Sequence, residues 1–100
     1  MAARARVRPW LRYLAGNVRA LRVRQGLTQE GLGDQAGVEP RYIQDIERAR
    51  ANPTIAILVA LADALRVDPR RLLRPAVMKP TKPGRPLRRA GRRPLGARTR

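Results

Sequence analysis

The chain has 100 residues, with 23 Lys or Arg against seven Asp or Glu, a formal net charge of +16, and no His, Cys or Ser. A chain of this size is expected to form one small domain, its core less completely buried than that of a larger protein. Lacking imidazole and thiol ligands, Ser and Cys nucleophiles and the usual general base, it predicts neither an enzyme nor a metal or cofactor site.

Residues 1–24 carry seven Arg and no acid. Residues 1–9 (MAARARVRP) have no apolar period and predict a disordered basic N-terminal arm that ends at Pro9. Trp10, Leu11, Tyr13 and Leu14 follow, interleaved with Arg8 and Arg12. They either cover one end of the core or form a basic amphipathic turn against phosphate or a membrane, and covering the core is the preferred reading. A first helix is predicted over 13–24, where Leu14, Val18 and Leu21 recur at i, i+4 and i+7, with Gly26 as its stop.

A second helix is predicted over 28–36. The Thr28 hydroxyl is placed to cap it and Leu27 to staple Leu32, while Gly37 supplies the positive φ that ends it. Glu39 as N-cap and Pro40 at N1 then open a third helix over 40–48. Its Ile43 and Ile46 turn inward, leaving Pro40, Arg41, Gln44, Asp45 and Arg48 facing out. After a loop at 48–52, Thr54 caps a fourth helix over 54–65 in which Ile55, Leu58, Leu61, Ala62 and Leu65 keep helical spacing. Ile57 and Val59 lie off that stripe, which means either wider burial or a protein contact. Asp68 and Pro69 open a fifth, short helix over 69–73. The predicted core is Val18, Leu21, Leu32, Ile43, Ile46, Leu58, Leu61 and Leu65.

All seven acids lie between Glu30 and Asp68, and residues 74–100 hold ten Lys or Arg with none. The repeated Pro and Gly of that last stretch predict a disordered Arg/Pro-rich tail. Two basic ends around a nearly neutral middle point to a polyanion, because Lys and Arg near phosphates release condensed counterions. Coding bias explains Arg outnumbering Lys, but not the missing acids. No apolar stretch is long enough to cross a bilayer and no apolar run follows the first arginines, so a cytoplasmic protein without a membrane partner is expected.

In their order and spacing four segments resemble the helix-turn-helix domains of the phage-repressor and Cro type, the xenobiotic-response-element family. They are LxxxVRALRxRxGLTQ (Leu14–Gln29), AGV (36–38), YIxxIE (Tyr42–Glu47) and NPTxxxLxxLAxALxVxxxxLL (Asn52–Leu73). The resemblance implies an all-α, compact five-helix, lambda-repressor-like domain over 10–73, between the arm 1–9 and the tail 74–100. It also implies double-stranded DNA as partner, bound as a homodimer. Three positions depart from the family: Gly31 replaces the capping-box Glu, Gly33 the usual Ala, and Ala49 a helix-ending Gly. Each helical Gly costs about 0.5–1 kcal/mol against Ala, and a left-handed Ala49 about 1–2 kcal/mol.

On this resemblance the base-reading positions are Glu39, Pro40, Arg41, Gln44 and Asp45. Arg and Gln suit guanine and adenine edges, and Asp45 either accepts from cytosine or repels phosphate. Thr28, Gln29, Tyr42, Arg48, Arg50 and Asn52 are assigned to phosphates. Arg22 and Glu47 are expected to form an internal ion pair between the first and third helices. The apolar end around Val67, Leu72 and Leu73 is the expected dimer surface. Lys82-Pro83-Gly84-Arg85-Pro86 looks like an AT-hook, with Pro83 where a basic residue is expected, and a generic basic tail is the preferred reading. The leading function is a sequence-specific transcriptional regulator of the small repressor type. An antitoxin binding a protein toxin and a non-specific nucleic-acid protein are the alternatives.

Overall fold

The computed structural model describes residues 2–77, and of residues 2–4 the backbone only. It contains four α-helices, α1 (Ala2–Arg24), α2 (Gln29–Ala36), α3 (Pro40–Glu47) and α4 (Ile55–Leu65), then a 3-10 helix over Pro69–Leu73. No strand occurs among the described residues. The fifth predicted helix is thus a short 3-10 helix rather than an α-helix, with Arg71 N–H donating to the Asp68 carbonyl at 2.8 Å. Five residues are too few for an α-helix to repay its nucleation, whereas the i to i+3 bond closes in one turn.

The larger correction concerns the N-terminus, because residues 2–9 are not an irregular arm but the first turns of α1, which passes through Pro9. Proline removes the bond to the carbonyl four residues back, here that of Ala5. Ala5, Arg6, Arg8 and Pro9 are all exposed, so water can satisfy that carbonyl, and Ala and Arg are strong helix formers. The sequence reading gave Pro9 more weight than the propensity around it.

The other boundaries follow their caps. Thr28 Oγ1 accepts from Gly31 N–H at 2.8 Å and Thr54 Oγ1 from Ile57 N–H at 3.2 Å. Gly37 (φ 71°) ends α2 in the left-handed region. Glu39 holds the N-cap backbone geometry of α3 without a side-chain cap bond. Among the described residues two non-glycine positions are left-handed: Ala49 (φ 58°), expected from the missing Gly, and Arg66 (φ 62°), which ends α4.

All eight predicted core residues are buried, joined by Leu14, Ala51, Ala62 and Leu72. α1 packs on α3, α4 and the 3-10 helix, and α2 on α3 and α4. Three placements differ from expectation. Ile55, assigned to the inner stripe of α4, is 72% exposed, because it stands at the first position of the helix, outside the layer that Leu58 begins. Ile57 packs against the core whereas Val59 is exposed, so the two off-stripe residues part company. Leu72 is fully buried, with Val67 and Leu73 partly buried against the same core, so of the expected dimer surface only Val67 and Leu73 keep apolar area exposed.

Polar groups fasten the chain ends of the domain. The buried Asn17 amide donates to the carbonyls of Leu72 and Arg74, both at 2.9 Å, tying the 3-10 helix to α1. Gln25 donates to the Leu65 carbonyl at 2.6 Å, which satisfies a free acceptor at the end of α4.

Candidate nucleic-acid interface

α2 and α3 meet through a turn that needs a glycine beneath it. A Cβ on Gly33 would press into the Val38 carbonyl oxygen and lie 3.4 Å from the Pro40 nitrogen. Gly33 therefore permits close approach of the turn to α2, and the Val38 N–H closes it by donating to the Gly33 carbonyl at 2.9 Å. From sequence alone this glycine looked like a simple stability loss. The structure shows what it contributes in return.

That approach sets α3 beside the N-terminus of α2. An open cleft between them is lined by Thr28, Gln29, Glu30, Pro40, Arg41 and Gln44. It brings together two positions assigned to phosphate and three assigned to base reading, and adds Glu30, which the sequence reading missed. Arg41 is exposed, and Gln44 and Asp45 are half-buried on the outer side of α3. Glu39, also exposed, precedes the helix at its N-cap. Thr28 accepts one bond as a cap, which leaves its hydroxyl hydrogen free to donate.

Beneath the cleft α3 is tied to α1. Arg22 Nε donates to Glu47 Oε2 at 2.6 Å and Nη2 to Oε1 at 3.0 Å, a bidentate pair whose side chains are 10% and 4% exposed. Nη1 donates to the Leu27 carbonyl at 2.8 Å, so the same guanidinium also holds the entrance to α2. Gln29 Nε2 completes the group by donating to Glu47 Oε1 at 3.1 Å. With one amide hydrogen committed there, Gln29 keeps one donor for a ligand. A buried charge pair with three of the five guanidinium N–H groups bonded fixes geometry more than it adds stability.

At the far end of α3 the left-handed Ala49 lets the chain fold back, with Ala49 N–H bonded to the Ile46 carbonyl at 3.0 Å and Arg50 N–H to the Asp45 carbonyl at 2.8 Å. Buried Ala51 anchors the loop, and Arg48, Arg50 and Asn52 project from it. Neither of these arginines nor Arg41 takes part in an ion pair among the described residues, so their donors are available. Tyr42 is half-buried and packs against the core, and it does not line the cleft. The AT-hook-like 82–86 segment lies outside the described residues.

A tight turn between two short helices, with the second presenting a polar face beside the amino end of the first, defines a helix-turn-helix DNA-binding domain. Residues 18–72 match the helix-turn-helix family HTH_3, and the chain belongs to it, within the Cro/C1 or xenobiotic-response-element type. The chain is 41% identical over 66 residues to the uncharacterized HTH-type transcriptional regulator y4dJ of Sinorhizobium fredii, an alignment covering 65% of this chain and 86% of that protein. It is 40% identical over 60 residues to the control protein C.SmaI of Serratia marcescens, with 60% and 71% covered. Among solved structures, the restriction-modification controller protein C.AhdI of Aeromonas hydrophila superposes with a TM-score of 0.61 at 34% identity, with 62% of this chain and 94% of that one covered. These similarities do not support the antitoxin alternative or a toxin partner. No helix among the described residues is long and apolar enough to cross a membrane.

Proposed function

We propose that this protein is a DNA-binding transcriptional regulator that selects its site by placing α3 in the major groove. Arg41 and Gln44 then meet base edges, with Glu39, Pro40 and Asp45 bordering them. Thr28, Gln29, Tyr42, Arg48, Arg50 and Asn52 hold phosphates on either side. The observation that carries this reading is the cleft between the start of α2 and the outer face of α3, which gathers polar side chains on a rigid turn. An α-helix fits the major groove, where an Arg can bond both acceptors of a guanine edge.

The test is a duplex selected from a random pool by the wild-type protein. Arg41→Ala should weaken that duplex by about 1–3 kcal/mol and relax the preference at one base position, while binding to scrambled duplex hardly changes. An Arg41→Ala protein with unaltered preference would remove α3 from the reading role.

We propose further that binding is homodimeric, since α3 is only about 12 Å long and reaches few base pairs, and related folds read two half-sites about one helical turn apart.

A further inference from the structure

Beyond the cleft, the structure carries a second run of unpaired positive charge that the proposed reading does not use. α1 is 23 residues long, about 34 Å, yet its fully buried positions begin only at Leu14. The preceding turns extend from the domain and carry Arg6, Arg8 and Arg12, all exposed. At about 100° per residue, Arg8, Arg12 and Arg19 fall within about 40° of one another and span about 16 Å along the helix. None of the three takes part in an ion pair among the described residues, and α1 contains no acid.

The position of this stripe around α1 matters more than its charge. Two flanks of the helix are marked by their contacts. Asn17 faces the 3-10 helix through Leu72 and Arg74, and Arg22 faces α3 and the entrance of α2 through Glu47 and Leu27. Arg8, Arg12 and Arg19 lie within about 80° of Arg22 around the helix and about 140–180° from Asn17. The stripe therefore borders the flank that supports the DNA-facing cleft and turns away from the 3-10 helix.

We infer that Arg8, Arg12 and Arg19 form a phosphate-contact track for duplex DNA flanking the segment read by α3. The inference rests on the proposed DNA-binding reading and extends it to a helix outside the helix-turn-helix unit. Measured along the duplex axis, a track of about 16 Å spans about five base-pair steps. Its contacts carry no base information, so it adds affinity without preference and engages only duplexes that continue past the recognition segment. Arg19 joins the track to the domain, and Arg8 and Arg12 carry it outward.

The experiment compares the wild-type chain with Arg8→Gln/Arg12→Gln/Arg19→Gln and with the corresponding triple Lys variant, on a random-sequence duplex in a length series. The Gln variant should lower the slope of log K against log salt by about 0.9 for each phosphate no longer neutralised, on long duplexes only. The Lys variant should keep the wild-type slope, because point charge suffices for phosphate. Arg8→Gln/Arg12→Gln changes only exposed residues ahead of the buried part of α1, so it remains informative if the triple variant melts early. An unchanged slope in both Gln variants overturns the track. If wild type binds phosphatidylglycerol vesicles and the Gln variants lose the vesicles but not the duplex, the stripe is a membrane contact instead. A wild-type chain that binds no duplex refutes the DNA reading itself. Wild-type binding to the selected duplex that is sensitive to Arg41→Ala, with salt slopes on the random duplexes indifferent to the Gln variants, refutes the track alone.

Discussion

At Gly33 and Gly31 the same residue type in the same helix answers two different demands. Helix propensity alone favours Ala at both by about 1 kcal/mol. At Gly33 the added methyl would collide with the Val38 carbonyl, a backbone atom held by the turn, and overpacking of that kind costs about 1–3 kcal/mol. At Gly31 the nearest atom is Thr28 Oγ1 at 3.2 Å, a side chain that can give by a few tenths of an ångström. Gly33→Ala should therefore lower the melting temperature and Gly31→Ala should hold or raise it, in two thermal denaturation curves. If both substitutions stabilise, the turn is looser than its geometry indicates. Nothing in the letters around position 33 separates it from position 31. Ala49 is the opposite case, since its left-handed φ is legible from the family pattern, where a helix-ending Gly was expected. Arg66 adopts the same conformation without any such signal, and its place ahead of Val67 disguised a second strained helix end.

Between elements, the Arg22–Glu47 pair decides how α1, α2 and α3 sit together, because one guanidinium bonds a carboxylate on α3 and the carbonyl that leads into α2. Removing one member leaves the other charged and buried, a loss of about 3–5 kcal/mol. Arg22→Ala should accordingly lower the urea midpoint sharply, and DNA binding should fall in proportion to the unfolded fraction, as read by circular dichroism and binding on the same samples. A variant that remains fully folded while binding selectively weakens would make Arg22 a DNA contact. The partners of this pair were legible because both stand at fixed places in recognisable segments. The Asn17 bonds to Leu72 and Arg74 were not, since an Asn on a helix gives no sign of which distant carbonyls it will meet. The N-terminal turns of α1 were misjudged for another reason: an exposed proline costs a helix one bond, not its continuity.

For the molecule as a whole, the open question is which surface a second copy would cover. At the end around Leu72 that side chain is fully buried, and Val67 and Leu73 keep only part of their surface exposed. α4 instead presents Ile55 at 72% and Val59 at 39% exposure, one helical turn apart on one face. This face begins three residues after Asn52, so it adjoins the loop assigned to phosphates. A contact there would join two copies close to the loop assigned to phosphates. Ile55→Asp/Val59→Asp places two like charges opposite their symmetry mates, and it should abolish cooperative binding to a full palindromic duplex while leaving half-site affinity unchanged. Sedimentation of the protein–DNA complex and titration of half-site and full-site duplexes read both quantities. The helix should survive, since both side chains already face solvent. Cooperativity that persists in the Asp variant moves the dimer contact off α4, whereas equal weakening of half and full sites would indicate that this face touches DNA rather than a second copy.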